Sequence, residues 1–156
     1  MKKVLFVCLG NICRSPTAKA VFDYKLQRAG ITLETDSAGT TGYHQGSPPD
    51  PRAIRAASVW GLDISAERAR VVTADDFVQF DRIFVMDRSN LDDLRRRAPS
   101  DSTAGIDLLM SLAPDYGLDE VPDPYYGGEE GFRQVLDMLE TAADRLIEEL
   151  QSSSRP

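Results

Sequence analysis

A buried strand that runs without a linker into a tight polar loop and a helix start leaves this chain very little conformational freedom. Lys3–Cys8 (KVLFVC) is β-branched and apolar from Val4 onward, the pattern of a strand covered on both faces, as in a parallel sheet. It breaks into Leu9-Gly10-Asn11-Ile12-Cys13-Arg14, after which Ser15-Pro16 supplies an N-cap and a proline at the first helical position. Ala18, Val21, Phe22, Leu26 and Ala29 follow at helical spacing, and Gly30 is placed to end that helix. Parallel strands need crossovers, so one such unit already points to an α/β domain.

The rest of the chain repeats the alternation. Ile31–Ser37 (ITLETDS) reads as a second strand, followed by a turn-rich stretch over Ala38–Asp50. Asp50-Pro51 opens a helix with Ala53, Ile54, Ala57 and Val59, stopping at Gly61. Val71-Val72 suggests a short strand, Thr73 caps a brief helix through Phe77, and Arg82–Met86 is another buried strand. Ser89 caps a helix to Ala98, and Ile106–Met110 reads as strand. Phe132, Val135, Leu136, Leu139, Ala143, Leu146, Ile147 and Leu150 form one apolar stripe on a helix of about five turns. The expected organisation is one domain over residues 1–150, a parallel sheet with helices on both faces, and a polar tail at 151–156 that frays. Trp60 and Met86 are expected in the core, Arg95-Arg96-Arg97 on a solvated helix end, and His44 in a surface loop.

Charge and cysteine content narrow the function. With 18 basic and 25 acidic residues the net charge is −7, which argues against a general affinity for nucleic acid. An anionic substrate has to be drawn by a local group of donors. The apolar stretch Val4–Leu9 is too short for a signal-peptide core and no run approaches membrane-spanning length, so a cytoplasmic protein without membrane insertion is expected. The only cysteines, Cys8 and Cys13, share one segment, and a single histidine gives zinc no ligand set. No metal and no cofactor are expected, and the glycine patterns of nucleotide sites are absent.

What remains is chemistry in the Cys8–Ser15 loop. A strand, a tight loop and a helix N-terminus aim successive backbone N–H groups at one point, with the helix dipole adding positive potential there. Gly10 and Asn11 tolerate the positive φ that such a loop needs. Arg14 offers a planar fork for two oxygens of a phosphate-sized dianion. Cys8 would lie beneath that anion among N–H dipoles, a setting that favours thiolate over thiol and makes a nucleophile. Splitting a phosphate ester also needs an acid for the leaving oxygen. Asp123 lies between Pro122 and Pro124, which stiffen its backbone, and Tyr125 and Tyr126 follow to wall a pocket.

These motifs, VCLGNICRSP over residues 7–16 and DPYY over 123–126, closely resemble the low-molecular-weight protein tyrosine phosphatases, as do Asp36–Gly39, Gly46–Asp50 and Met86–Leu91. The resemblance covers Val4 to about Leu150. It implies a four-stranded parallel sheet in order 2-1-3-4 and attack of Cys8 on phosphotyrosine to give a phosphocysteine. Arg14 and the loop residues Leu9, Gly10, Asn11, Ile12, Cys13 and Ser15 would bind the phosphoryl group, Ser15 also holding the thiolate. Asn11 would keep the loop in shape with Ser37 behind it, and Asp123 would protonate the tyrosyl oxygen. Leu9, Tyr43, Tyr125 and Tyr126 would line the substrate slot. The implied partner is a phosphotyrosine protein, with a tyrosine kinase or a polysaccharide-synthesis regulator as candidates. Glu67 stands where the family often has a histidine that supports the loop asparagine; either another group supports Asn11 or this carboxylate does, and otherwise Glu67 is an exposed helix-start residue. Cys13, five positions after Cys8, is expected to be a redox partner that captures oxidised Cys8. The rivals are a protein-arginine phosphatase of the same fold, which carries threonine where Ile12 stands, and a noncatalytic phosphate-binding redox sensor.

Overall fold

The computed structural model describes residues 1–124 and 128–153. The chain runs β1 (Lys3–Cys8), α1 (Arg14–Arg28), β2 (Glu34–Gly39), α2 (Pro51–Val59), α3 (Asp76–Gln79), β3 (Arg82–Val85), α4 (Arg88–Arg97) and β4 (Gly105–Leu108). Two 3₁₀ turns, Leu109–Leu112 and Pro114–Tyr116, lead towards α5 (Gly128–Ser153). The four strands form one parallel sheet in the order β2-β1-β3-β4, as the family resemblance implied.

Side-chain alternation along β1 explains its unbroken apolar run. Val4, Phe6 and Cys8 face one layer, built by α1 and α5 through Val21, Phe22, Leu136 and Leu139. Leu5 and Val7 face the other, where Phe77, Leu91 and Leu94 of α3 and α4 cover the sheet. Both faces are dry from Val4 onward, so no position beyond Lys3 is charged or carries an oxygen or nitrogen in its side chain. Phe6 packs on Phe22 with ring centroids 4.6 Å apart, and truncating it to alanine should cost about 3–5 kcal/mol. A smaller cluster, Ala53, Ala57, Ile64 and Phe132, seats α2 against α5.

Several local expectations shift. β2 occupies Glu34–Gly39 rather than Ile31–Ser37, because Gly30 at φ 70° closes α1 with Ile31 N–H donating back to Leu26 O at 3.0 Å. Val71 makes only an isolated bridge to Gly39. Asp76, not Thr73, organises the next turn, accepting from Thr73 N–H at 2.8 Å, and the helix there is α3. α4 is capped by Asp87 rather than Ser89, in a capping box with Asn90. β4 ends at Leu108, since Leu109 begins a 3₁₀ turn. Met86 is in the core, but Trp60 is the C-cap of α2 and 38% exposed. α5 continues through Ser153, so the polar residues 151–153 are helical; residues 154–156 lie outside the described residues.

Candidate active site

Cys8 ends β1, one of the two central strands, at the point where the chain's crossovers leave in opposite directions. The loop beyond it turns its carbonyls outward. Leu9 O accepts from Thr41 N–H at 3.1 Å, Ile12 O from Asp50 N–H at 2.7 Å, and Cys13 O from Thr17 Oγ1 at 2.7 Å. With the carbonyls so engaged, the N–H groups of Ile12, Cys13, Arg14 and Ser15 donate to no protein acceptor among the described residues. α1 likewise has no side-chain cap and no acidic residue in its first turn.

Ser15 was expected to be that cap. Its hydroxyl is instead 3.1 Å from Cys8 Sγ and 3.3 Å from Ala38 O, while accepting from Asn11 Nδ2 at 2.7 Å. The helix begins two residues earlier than expected, at Arg14, with Cys13 in the cap position. Asn11 is the only described non-glycine residue at positive φ, 58°. Its amide is fully occupied: Nδ2 also donates to Ser37 Oγ at 2.9 Å, and Oδ1 accepts from Arg70 N–H at 2.9 Å. Its own N–H points at Cys8 Sγ, 3.3 Å away.

Glu67 does not support Asn11. It precedes Arg70 in an irregular segment, half-buried, with its carboxylate 3.9 Å from Lys19 Nζ. The support comes from the Arg70 main chain, whose side chain is clamped between Asp76 (2.9 Å) and Asp36 (3.1 Å). Asp36 in turn accepts from Ser37 N–H at 2.8 Å. Gly39 backs the loop so closely that a Cβ there would lie 2.8 Å from Leu9 O.

Arg14 is only 4% exposed. Nη1 donates to Asp87 Oδ2 at 2.8 Å and to Val121 O at 3.0 Å, while Nε and Nη2 make no hydrogen bond among the described residues. Burial opposes its charge, but Cys8 and Asp87 outweigh burial and hold the guanidinium above its ordinary range. Val121 N–H donates to Met86 O at 2.8 Å, so Val121 is pinned from both sides and Pro122-Asp123 is delivered to the rim. Asp87 and the Val121 carbonyl escaped the sequence reading. The Asp-x-x-Asn spacing at 87–90 signals the cap and nothing in it signals the arginine.

The resulting hollow has a volume of about 780 Å³ and brings together Cys8, Leu9, Gly10, Ile12, Cys13, Arg14, Tyr43 and Asp123. Asn11, Ser15 and Ser37 sit behind its floor, and Tyr43 is a rim residue at 88% exposure. Tyr125 and Tyr126 lie outside the described residues. His44, expected in a surface loop, is half-buried and lines the same hollow, edge-on to Tyr43 at 5.2 Å. Burial, then the neighbouring charges of Cys8, Asp123 and Asp50, push the Cys13 thiol far above its ordinary range, with Arg14 opposing. Both cysteines are free, and no group of three or more metal-ligating side chains occurs among the described residues. No helix of the described residues is long and apolar enough to cross a membrane.

Comparison with known proteins agrees with this geometry. The model of the family "low molecular weight phosphotyrosine protein phosphatase" matches residues 3–155. The human low molecular weight phosphotyrosine protein phosphatase is 46% identical over 138 residues, 86% of each chain. A crystal structure of a protein tyrosine phosphatase from Entamoeba histolytica superposes with a TM-score of 0.92 at 41% identity, covering 99% of this chain and 100% of the other. A Drosophila arginine phosphatase structure gives a TM-score of 0.89 at 32% identity, covering 99% of each chain. A match of this length, on a loop of this construction, means that the chain belongs to the low molecular weight phosphotyrosine protein phosphatase family and is a phosphatase enzyme.

Proposed function

We propose that this phosphatase hydrolyses phosphotyrosine on proteins through a phosphocysteine intermediate. The observation that supports the reading best is that the N–H groups of Ile12–Ser15 have no protein acceptor among the described residues, in the loop whose Asn11 N–H points at Cys8 Sγ and whose Arg14 lines the same hollow as Cys8. Such a cradle binds a dianion, and in-line attack by the Cys8 thiolate then breaks the bond from phosphorus to the tyrosyl oxygen. Asp123, as the carboxylic acid, gives that oxygen its proton. As carboxylate it then takes a proton from the water that attacks the phosphocysteine, releasing phosphate and restoring the thiolate. Ser15 steadies the sulfur, Asn11 with Ser37 holds the loop, and Leu9, Gly10, Ile12 and Tyr43 shape the slot. Tyr125 and Tyr126 belong to the same proposal.

The test is a leaving-group series. Asp123→Asn should lose roughly 10²–10⁴-fold on phenyl phosphate and far less on well-activated aryl phosphates, which leave without a proton. Equal losses across the series would remove Asp123 as the acid, and appreciable turnover by Cys8→Ser would remove the nucleophile. Phosphoarginine belongs in the same assay because of the Drosophila relative. Ile12 lines the hollow where the arginine phosphatases carry threonine, so a preference for phosphotyrosine is expected; the reverse preference would favour the arginine reading. Trapping with Asp123→Ala would identify the phosphoprotein, whether a tyrosine kinase or a polysaccharide-synthesis regulator.

Cys13 is proposed as the redox partner in a cytoplasmic, thiol-rich setting. Peroxide converts the Cys8 thiolate to a sulfenic acid; the Cys13 thiolate then displaces hydroxide from that sulfur, forming a disulfide that dithiothreitol reduces. Oxidation also removes the Cys8 charge, which adds to burial in holding the Cys13 thiol protonated. Peroxide-treated wild type should recover activity with dithiothreitol and Cys13→Ser should not. Equal recovery would reduce Cys13 to a packing residue.

A further inference from the structure

We propose that the hollow between α2 and α5 is a docking site for an acidic segment of the phosphoprotein substrate that also carries an apolar side chain, a reading that rests on the phosphatase assignment above. The hollow, of about 410 Å³, is lined by Arg52, Arg55, Val59, Trp60, Phe132 and Arg133. Its charge runs against the rest of the molecule. A chain of net charge −7 places three guanidinium groups here, opposed among the lining residues by Glu129 alone.

These cations differ in what they already hold. Arg52 grips Asp50 at 3.1 Å and lies 5.8 Å above the Phe132 ring. The nearest carboxylate to Arg133 is Glu130, at 3.9 Å. The exposed Arg55 guanidinium has no hydrogen bond or ion pair among the described residues. Beside it Val59 is 83% exposed and Trp60 is 38% exposed, an apolar ledge at the end of α2. Arginine and an aromatic ring on one ledge suit a carboxylate and an aliphatic or aromatic side chain a residue or two apart.

Continuity with the active-site hollow selects the occupant. Asp50 and Pro51 line that hollow, and the next residue, Arg52, lines this one, so the first turn of α2 is their shared wall. An extended chain advances about 3.3 Å per residue, so a few residues beside a bound phosphotyrosine cross that turn. A free aryl phosphate never reaches it. The site therefore acts on proteins and not on small esters, and supplies locally the attraction that the molecule's overall charge denies to acidic substrates.

The experiment compares kcat/KM for two phosphotyrosine peptides of equal length, one flanked by Asp, Glu and Leu and the other by Ser, Asn and Gly, with an aryl phosphate as control. Wild type should prefer the acidic peptide by about fivefold at low salt, less at high salt. Arg55→Glu should abolish or invert the preference and Trp60→Ala should reduce it, both with unchanged turnover of the aryl phosphate. Equal use of the two peptides by wild type, or a preference that survives both substitutions, would overturn the proposal. So would an Arg55→Glu protein whose sedimentation changes from dimer to monomer, since the occupant would then be a second copy of the chain. Failure of wild type on the aryl phosphate would count against the phosphatase reading itself.

Discussion

On one side of the Cys8–Ser15 loop, Asn11 is held by neutral hydrogen bonds to Ser15, Ser37 and a main-chain N–H, all three between 2.7 and 2.9 Å. On the other side Arg14 is a buried cation, held by a carboxylate 73 positions away in sequence and a carbonyl 107 positions away. The first arrangement sets shape: it keeps a non-glycine residue at φ 58° with uncharged partners on its amide. The second sets charge: it keeps one guanidinium edge turned to its partners and leaves the others for an anion. Neutral bonds are individually worth about 0.5–1.5 kcal/mol and bonds to charged groups about 1.5–3 kcal/mol. Damage to the first side should therefore appear as a displaced loop, and damage to the second as weakened anion binding in an intact one.

The harshest way to break the shape side is Gly39→Ala. The new Cβ would meet Leu9 O at 2.8 Å, Gly10 C at 3.1 Å and Asn11 N at 3.2 Å, all backbone atoms with no rotamer to yield. Turnover of an aryl phosphate should fall on the order of 10²-fold, with the far-UV circular dichroism retained. A loss below about threefold would mean that the loop is soft and the contrast between the two sides is wrong.

A gentler pair of substitutions separates the sides directly. Asp87→Asn can keep the N-cap of α4 through its one oxygen but removes the carboxylate from Arg14 Nη1, so phosphate inhibition and kcat/KM should weaken by roughly tenfold, with a stability cost of about 1.5–3 kcal/mol. Ser37→Ala removes one neutral partner of Asn11, and should lower stability by about 1 kcal/mol while phosphate inhibition moves by less than about threefold. If the two variants gave the same pattern, shape and charge would not be divided between the sides as described.

The smallest effect is expected at Glu67, near the shape side but not part of it. Burial pushes its carboxyl above the ordinary value, Lys19 pulling the other way and Asp36 and Asp23 adding to the rise. A raised carboxyl makes the folded state the better proton binder, so its contribution to stability is present in acid and lost as pH climbs through the raised value. Glu67→Gln should raise Tm by about 2 °C or less near pH 7 and converge with wild type below about pH 4. The pH profile of catalysis should not move, because Asn11 is supported by Arg70 N–H. A shifted profile would tie Glu67 to the loop after all.

Legibility in the sequence follows the same division. Elements within one stretch of chain could be read: the apolar run of β1, the Gly-Asn turn, Asp50-Pro51 as the start of α2, and the stripe on α5, whose Leu136, Leu139 and Leu146 are buried. The N-cap expectation for Ser15 failed because its hydroxyl had two uses available, and the buried sulfur with the Asn11 amide outcompeted the helix end. β2 was placed too early because Ile31 serves the closure of α1. Asp87 and the Val121 carbonyl left no local trace, since each gains its meaning from Arg14, dozens of residues away; nor did the Asp36–Arg70 half of the clamp, whose partners are 34 positions apart. Trp60 looked like core by composition and is instead exposed at the end of α2.

β1 has a neighbour on each side and a helical layer over each face, and the sulfur proposed as nucleophile is attached to its last residue. Amide exchange of such a strand requires opening of the whole domain, whereas helix ends and loop tips exchange through local fluctuations. The thiol thus shares the lifetime of the most protected cooperative unit in the molecule. Fraying at the periphery can remove the α2 ledge or a rim tyrosine and leave the sulfur in its place, so the surroundings of the hollow are open to gradual loss while its floor is lost all at once.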